Sequence, residues 1–176
     1  DVDNIRRIGP IVREINLSRE ELRKKFSFNK KTILISVGGT DAGLFLIQKS
    51  IESILKLNLD IEIILVTGPS ITKKFDNVKN LGFVDNLHEL IYASDVVISL
   101  AGKSTIDEAK AYGTPGIFIP IKDHFEQENN SKNEGFSFND INKLDELILE
   151  KLDKKRNEVN TNGAELAAEI IRKFTK

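Results

Sequence analysis

A chain of 176 residues with 26 Lys and Arg against 27 Asp and Glu, formal charge −1, is one domain's worth of sequence. It is long enough to hide about 68–70% of its unfolded surface without staples. The charge balance offers no net positive field for nucleic acid or an anionic membrane, and the lack of cysteine excludes disulfides, thiolate metal sites and thiol nucleophiles.

In chain order, residues 1–16, with Gly9-Pro10 inside, read as a connector to an N-terminal part, and 17–176 as the domain proper. The chain begins with Asp rather than Met and is expected to be a fragment or processed chain, soluble and intracellular. Ser18-Arg19-Glu20-Glu21 is a capping-box pattern opening a helix that carries Leu22 and Phe26. Lys31 to Val37 is a buried strand ending in Gly38-Gly39-Thr40, and residues 43–57 carry apolar side chains at helical spacing. Ile61 to Thr67 is a second strand, a weak extended piece covers Val78 to Phe83, and a short helix covers Asn86 to Ala93. Asp95 to Leu100 is a third clear strand, a helix starts near Ser104, and Gly116 to Ile119 is a fourth. Asp140 is expected to cap a helix carrying Ile141, Leu144, Ile148 and Leu152, and a last helix carries Leu166, Ala167, Ile170, Ile171 and Phe174. No run is long enough to span a membrane. Alternating strands and helices predict an α/β fold, a Rossmann-like parallel sheet with helices on both faces. Ligands of such sheets bind outside the carboxyl ends of the strands.

Ala101-Gly102-Lys103-Ser104-Thr105 follows a strand and opens a helix, but no glycine stands five residues before Gly102, so this is not an NTPase loop. Gly102 serves either a tight turn or the approach of a phosphate to free helix-end N–H groups. Thr105-Ile106-Asp107-Glu108 matches a capping box; alternatively, Glu108, one turn after Ser104, accepts from the vicinal hydroxyls of a ribose. Gly38-Gly39-Thr40 is a turn or another approach to a charged group. His124, with Glu126, Gln127 and Asn130, is a hydroxyl-binding cluster or solvated loop polarity, and His88 reads as structural. Two histidines leave little room for a metal cluster, and neither metal nor cofactor is expected.

Together the stretches Ile33 to Thr40, Leu81 to Asn86, Ser94 to Ala109, Gly113-Thr114-Pro115, Ile119-Pro120 and Gln127 to Ser131 resemble the C-terminal, donor-binding domain of family 28 glycosyltransferases. That family includes the GlcNAc transferase of peptidoglycan precursor synthesis and the small subunit of the dolichol-linked GlcNAc transferase. The resemblance implies one half of a GT-B enzyme: an inverting, metal-independent transfer of a sugar from a UDP-sugar, GlcNAc or a relative, to an acceptor hydroxyl. It implies Phe83 and Val84 at the uracil, Ala101, Gly102, Lys103, Ser104 and Thr105 at the diphosphate, and Glu108 on the ribose. Gln127 and Asn130 would lie near the sugar, and Gly39 and Thr40 near the phosphates or the facing domain. The acceptor and its base would come from an N-terminal domain, in cis or in trans, with His124 a weak candidate here. The isolated domain would then be inactive. It would be cytoplasmic, touching the membrane face only through the absent half. The competing reading is a non-catalytic nucleotide-sugar or partner-binding module of a glycosyltransferase complex.

Overall fold

The structure, a computed structural model, describes residues 5–38, 41–159 and 161–174. Five parallel strands, β1 (Lys31–Ser36), β2 (Ile61–Val66), β3 (Lys79–Gly82), β4 (Val96–Leu100) and β5 (Gly116–Ile119), lie in the order β3-β2-β1-β4-β5. The central strands explain their own position. All five residues of β4 and five of the six in β1 are buried, so a helix layer covers each side of the sheet.

Helices α2 (Leu44–Lys56) and α6 (Leu144–Asp153) pack together in one layer; α1 (Arg19–Phe26), α3 (Leu87–Ala93) and α4 (Lys103–Ala111) pack in the other. Helix α5 (Phe125–Asn133) lies against β5, and α7 (Gly163–Phe174) ends the chain. The strand order reverses at β1, because α2 leads outward to β2 on one side and β3–α3 returns the chain to β4 on the other.

Local chemistry sets the boundaries. Ser18 caps α1 as expected: its N–H donates to the Glu21 carboxylate at 2.8 Å, while its hydroxyl accepts from the Glu21 N–H. Asp95 fixes the start of β4, accepting from Thr32 N–H at 2.8 Å and from Arg19 and Arg23 of α1 at 2.7 and 3.1 Å. Gly113, at φ 66°, ends α4 in a left-handed turn; Thr114 then donates to Ile91 O, and Pro115 O accepts from Val97. Arg156 donates to Tyr92 O, Ser94 O and Tyr112 O, closing the carboxyl ends of α3 and α4.

One expected boundary is corrected. Asp140 is not the cap of the next helix, a position that Lys143 holds: Asp140 is the third residue of a 3-10 turn over Phe138–Lys143, itself capped by Ser137, and its carboxylate reaches back to accept from the Ser137 N–H at 2.6 Å. The α-helix proper begins only at Leu144.

Candidate functional site

Ser36 of β1 stands beside Ser99 of β4, so Val37–Gly38 and Leu100–Gly102 leave the sheet side by side at the reversal point. Gly38 has φ 77°, a backbone that L side chains rarely adopt, and its carbonyl accepts from Gly68 N–H at 2.9 Å. A small cleft opens next to it, lined by Gly38, Thr67, Gly68, Phe83, Val84 and Leu87. Phe83 is 69% exposed, a large aromatic left at the rim. Gly39 and Thr40, both expected in the site, lie outside the described residues.

On the other wall Gly102 is the N-cap of α4, with φ −73°, ψ 133° and no side-chain cap bond. The first helical acceptor is Gly102 O, taken by Ile106 N–H at 3.2 Å. The N–H groups of Lys103, Ser104 and Thr105 therefore have no intrahelical partner and point out of the helix mouth. A Cβ built on Gly102 would meet nothing within 4 Å, and its dihedrals suit any residue. The turn itself does not demand glycine. Because the helix begins at Lys103, Thr105 lies inside it, and the capping-box reading of Glu108 is overturned.

Glu108 is instead held from a distance. Its side chain is 7% exposed, and the Arg13 guanidinium grips both oxygens: Nε donates to Oε1 at 2.7 Å and Nη2 to Oε2 at 3.2 Å. The third arm, Nη1, donates to Asp85 O at 3.2 Å, and the Tyr112 hydroxyl donates to Arg13 O at 2.6 Å. The hydrogen bond to Glu108 raises the Arg13 pKa, while burial, and then the Glu108 charge, push the Tyr112 phenol up. Burial, and then the Arg13 charge, lower the His88 imidazole, whose buried Nδ1 has no partner among the described residues. Arg13 stands 95 positions before Glu108, and nothing local in the sequence marks it. It also forms part of the wall of a surface groove between the N-terminal segment and α7, which runs along Tyr112, Glu158 and Ala164 rather than at the α4 mouth.

The last expected group comes from α5. Asn130 donates to Ala101 O at 3.1 Å, which ties α5 to the β4–α4 turn. Gln127 turns its carboxamide oxygen to Ile121 N–H at 3.1 Å, and Ser131 donates to Phe118 O at 2.7 Å. His124 is the N-cap of α5: Nδ1 accepts from Gln127 N–H at 3.4 Å, so the neutral ring carries its proton on Nε2. The structure thus gathers Ala101 to Thr105 and Asn130 on one wall and Phe83 and Val84 at the cleft. Glu108 is joined through Arg13 to the loop that follows Val84.

This arrangement has relatives. Residues 32–176 match the glycosyltransferase family 28 C-terminal domain. An uncharacterized glycosyltransferase of Methanosarcina acetivorans is 33% identical over 128 residues, 70% of this chain and 32% of its own length. The UDP-N-acetylglucosamine–N-acetylmuramyl-(pentapeptide) pyrophosphoryl-undecaprenol N-acetylglucosamine transferase of Aquifex aeolicus is 34% identical over 134 residues, 67% of this chain and 38% of its own. The chain spans about a third of the length of these curated relatives. Among solved structures, WaaG, a glycosyltransferase involved in lipopolysaccharide biosynthesis, superposes with a TM-score of 0.58 over 84% of this chain and 47% of its own, at 20% identity. That likeness speaks for the fold, a Rossmann-like half of the GT-B architecture. By its sequence match over residues 32–176, the chain belongs to the family 28 glycosyltransferase C-terminal domains.

Proposed function

We propose that this domain binds the UDP-sugar donor of an inverting, metal-independent glycosyltransferase that transfers GlcNAc or a related sugar to an acceptor hydroxyl. The observation that carries the reading is the mouth of α4: three N–H groups without a partner inside the helix, a glycine with open space above it, and a mostly buried carboxylate one turn further on. In this reading the amides of Lys103, Ser104 and Thr105 take the diphosphate, since helix N-termini favour anions. The same amides stabilise charge on the departing UDP, the electrostatic role that such enzymes need. Glu108 accepts from the ribose, Phe83 and Val84 flank the uracil, and Asn130 and Gln127 lie toward the sugar. Gly39 and Thr40 keep the role the family resemblance gives them, near the phosphates or the facing domain.

An acceptor hydroxyl must lose its proton to a base within hydrogen-bond reach. His124 caps a helix with Nδ1, and Glu108 is gripped by Arg13. The base and the acceptor are therefore assigned to an N-terminal domain, in cis or in trans, with residues 1–16 leading to it. We place the enzyme in the cytoplasm, with any membrane contact through that other half; no helix among the described residues is long and apolar enough to cross a membrane.

Calorimetric titration with UDP, UDP-GlcNAc, ADP and NAD tests the donor site, with preference for UDP and UDP-GlcNAc expected. Preference for NAD or ADP, or no nucleotide binding, would refute it. UDP release from UDP-GlcNAc, with and without the N-terminal partner, separates an enzyme from a binding module: turnover should need the partner.

A further inference from the structure

The last turn of α4 lies about 13 Å from its mouth, at the amino end of β5. A cavity of about 330 Å³ opens there, lined by Lys110, Lys151, Lys154 and Lys155. The acidic residue of its wall is Glu134, and its apolar part is the edge-to-face pair of Phe118 and Phe136 at 6.2 Å.

Part of this charge has an ordinary cause. Both α4 and α6 end here, and Lys110 and Lys151, each in a last turn, offset the negative helix ends. Both are also paired, Lys110 with Glu134 at 2.9 Å and Lys151 with the exposed Glu150 at 2.8 Å. Lys154 and Lys155 exceed that need. They follow Asp153, the last residue of α6, and no carboxylate stands within ion-pair distance of either among the described residues. Two helix ends of about half a negative charge each leave roughly one positive charge in excess, in a chain whose net charge is −1.

The surplus is held on a fixed frame. Arg156 donates to three carbonyls at the ends of α3 and α4, and Val159 N–H donates to Ala111 O at 2.9 Å, so residues 154–159 form a pinned strap. A Cβ on Gly113 would stand 2.6 Å from the Asn157 backbone, so the α4–β5 turn is glycine where the strap passes. The Lys151 side chain is only 12% exposed, with its ammonium 5.4 Å from the centre of the Phe136 ring. Cations gathered this way repel one another, and a multivalent anion relieves that repulsion.

We propose that this lysine pocket is a second binding site, separate from the α4 mouth, for a phosphate monoester, met either as a small soluble molecule or as the head group of an anionic lipid. Lys151, Lys154 and Lys155 take the phosphate oxygens as point charges, and the Phe118–Phe136 pair backs the attached carbon chain. The site does not depend on the donor reading.

The test titrates glycerol phosphate into the isotope-labelled protein by NMR and, separately, measures flotation with vesicles of one part phosphatidic acid to four of phosphatidylcholine. Lys154→Gln/Lys155→Gln is compared with Lys73→Gln/Lys74→Gln, which loses the same charge from the exposed loop after β2. Circular dichroism establishes folding, and Lys155→Gln alone carries the test if the first double variant does not fold. Amide shifts at Gly113, Gly116 and Lys155 should saturate in the wild type and in the loop variant. Lys154→Gln/Lys155→Gln should bind about 10- to 100-fold more weakly, the loss of one to two bonds to a charged group. Binding of glycerol phosphate without vesicle capture assigns a soluble ligand; vesicle capture that this variant loses assigns the lipid head group. Failure of both probes to bind, or equal losses in the two double variants, overturns the inference. Shifts confined to residues 103–105 overturn it too, and leave the donor reading standing.

Discussion

Gly102→Asp separates a glycine kept for the fold from one kept for a ligand, because the two effects have opposite signs. Gly102 already has the extended dihedrals of an N-cap, and a Cβ there meets no atom within 4 Å. Aspartate is among the best N-cap residues and exceeds glycine by a few tenths of a kcal/mol, roughly. Loss of the backbone freedom of glycine in the unfolded chain adds about 0.4–1 kcal/mol. The variant should therefore be more stable by about 0.5–1.5 kcal/mol, a rise in Tm of about 1–6 °C for a domain of this size. UDP should fare the other way. The new carboxylate accepts from the same N–H groups and places a negative charge at about 5 Å from the diphosphate; at an effective dielectric of about 20 that repulsion is roughly 3 kcal/mol, or about 100-fold in affinity. Thermal melts by circular dichroism and calorimetric titration with UDP read both effects on one sample. A higher Tm with UDP affinity within about twofold of wild type would show that the diphosphate does not sit at this helix mouth.

Gly163→Ala would drive its methyl to 2.3 Å from Pro10 O, a backbone atom, so overpacking should cost about 1–3 kcal/mol in urea unfolding and make α7 easier to cut with protease. Asp95→Asn weakens the contacts to Arg19, Arg23 and the Thr32 amide together and should cost about 2–3 kcal/mol, while UDP affinity stays within about twofold because Asp95 lies at the opposite end of β4 from the site. Burial and Arg13 lower the His88 imidazole below its ordinary 6.5, so as pH falls through 6.5 the unfolded state takes the proton first. Wild-type stability should drop over that interval, and His88→Gln should remove that part of the slope in urea melts at pH 7.5, 6.5 and 5.5; an identical slope in the variant would refute the assignment.

Much of the architecture is written locally. The uncharged runs of β1 and β4 mark central parallel strands, because only a strand covered on both faces can be apolar throughout. Ser18 and Glu21 announce α1, because a capping box needs only residues three apart. Gly102 marks the mouth of α4, and the order of the motifs places that mouth at the strand ends. The sequence was silent where an outcome depends on a residue far along the chain or on the true start of a helix. Thr105 reads as a cap and Asp140 as another; each lies inside its element, because Gly102 starts α4 in one case and Ser137 starts the 3-10 turn before α6 in the other. His124 reads as a loop residue in a hydroxyl-binding or merely solvated cluster, and that its Nδ1 caps α5 emerges only from the loop geometry. Arg13 carried no signal at all. Periodicity and capping act over a few residues and are visible in sequence, whereas a planar fork closing on a mostly buried carboxylate 95 positions away exists only once the sheet has brought the N-terminal segment across α4.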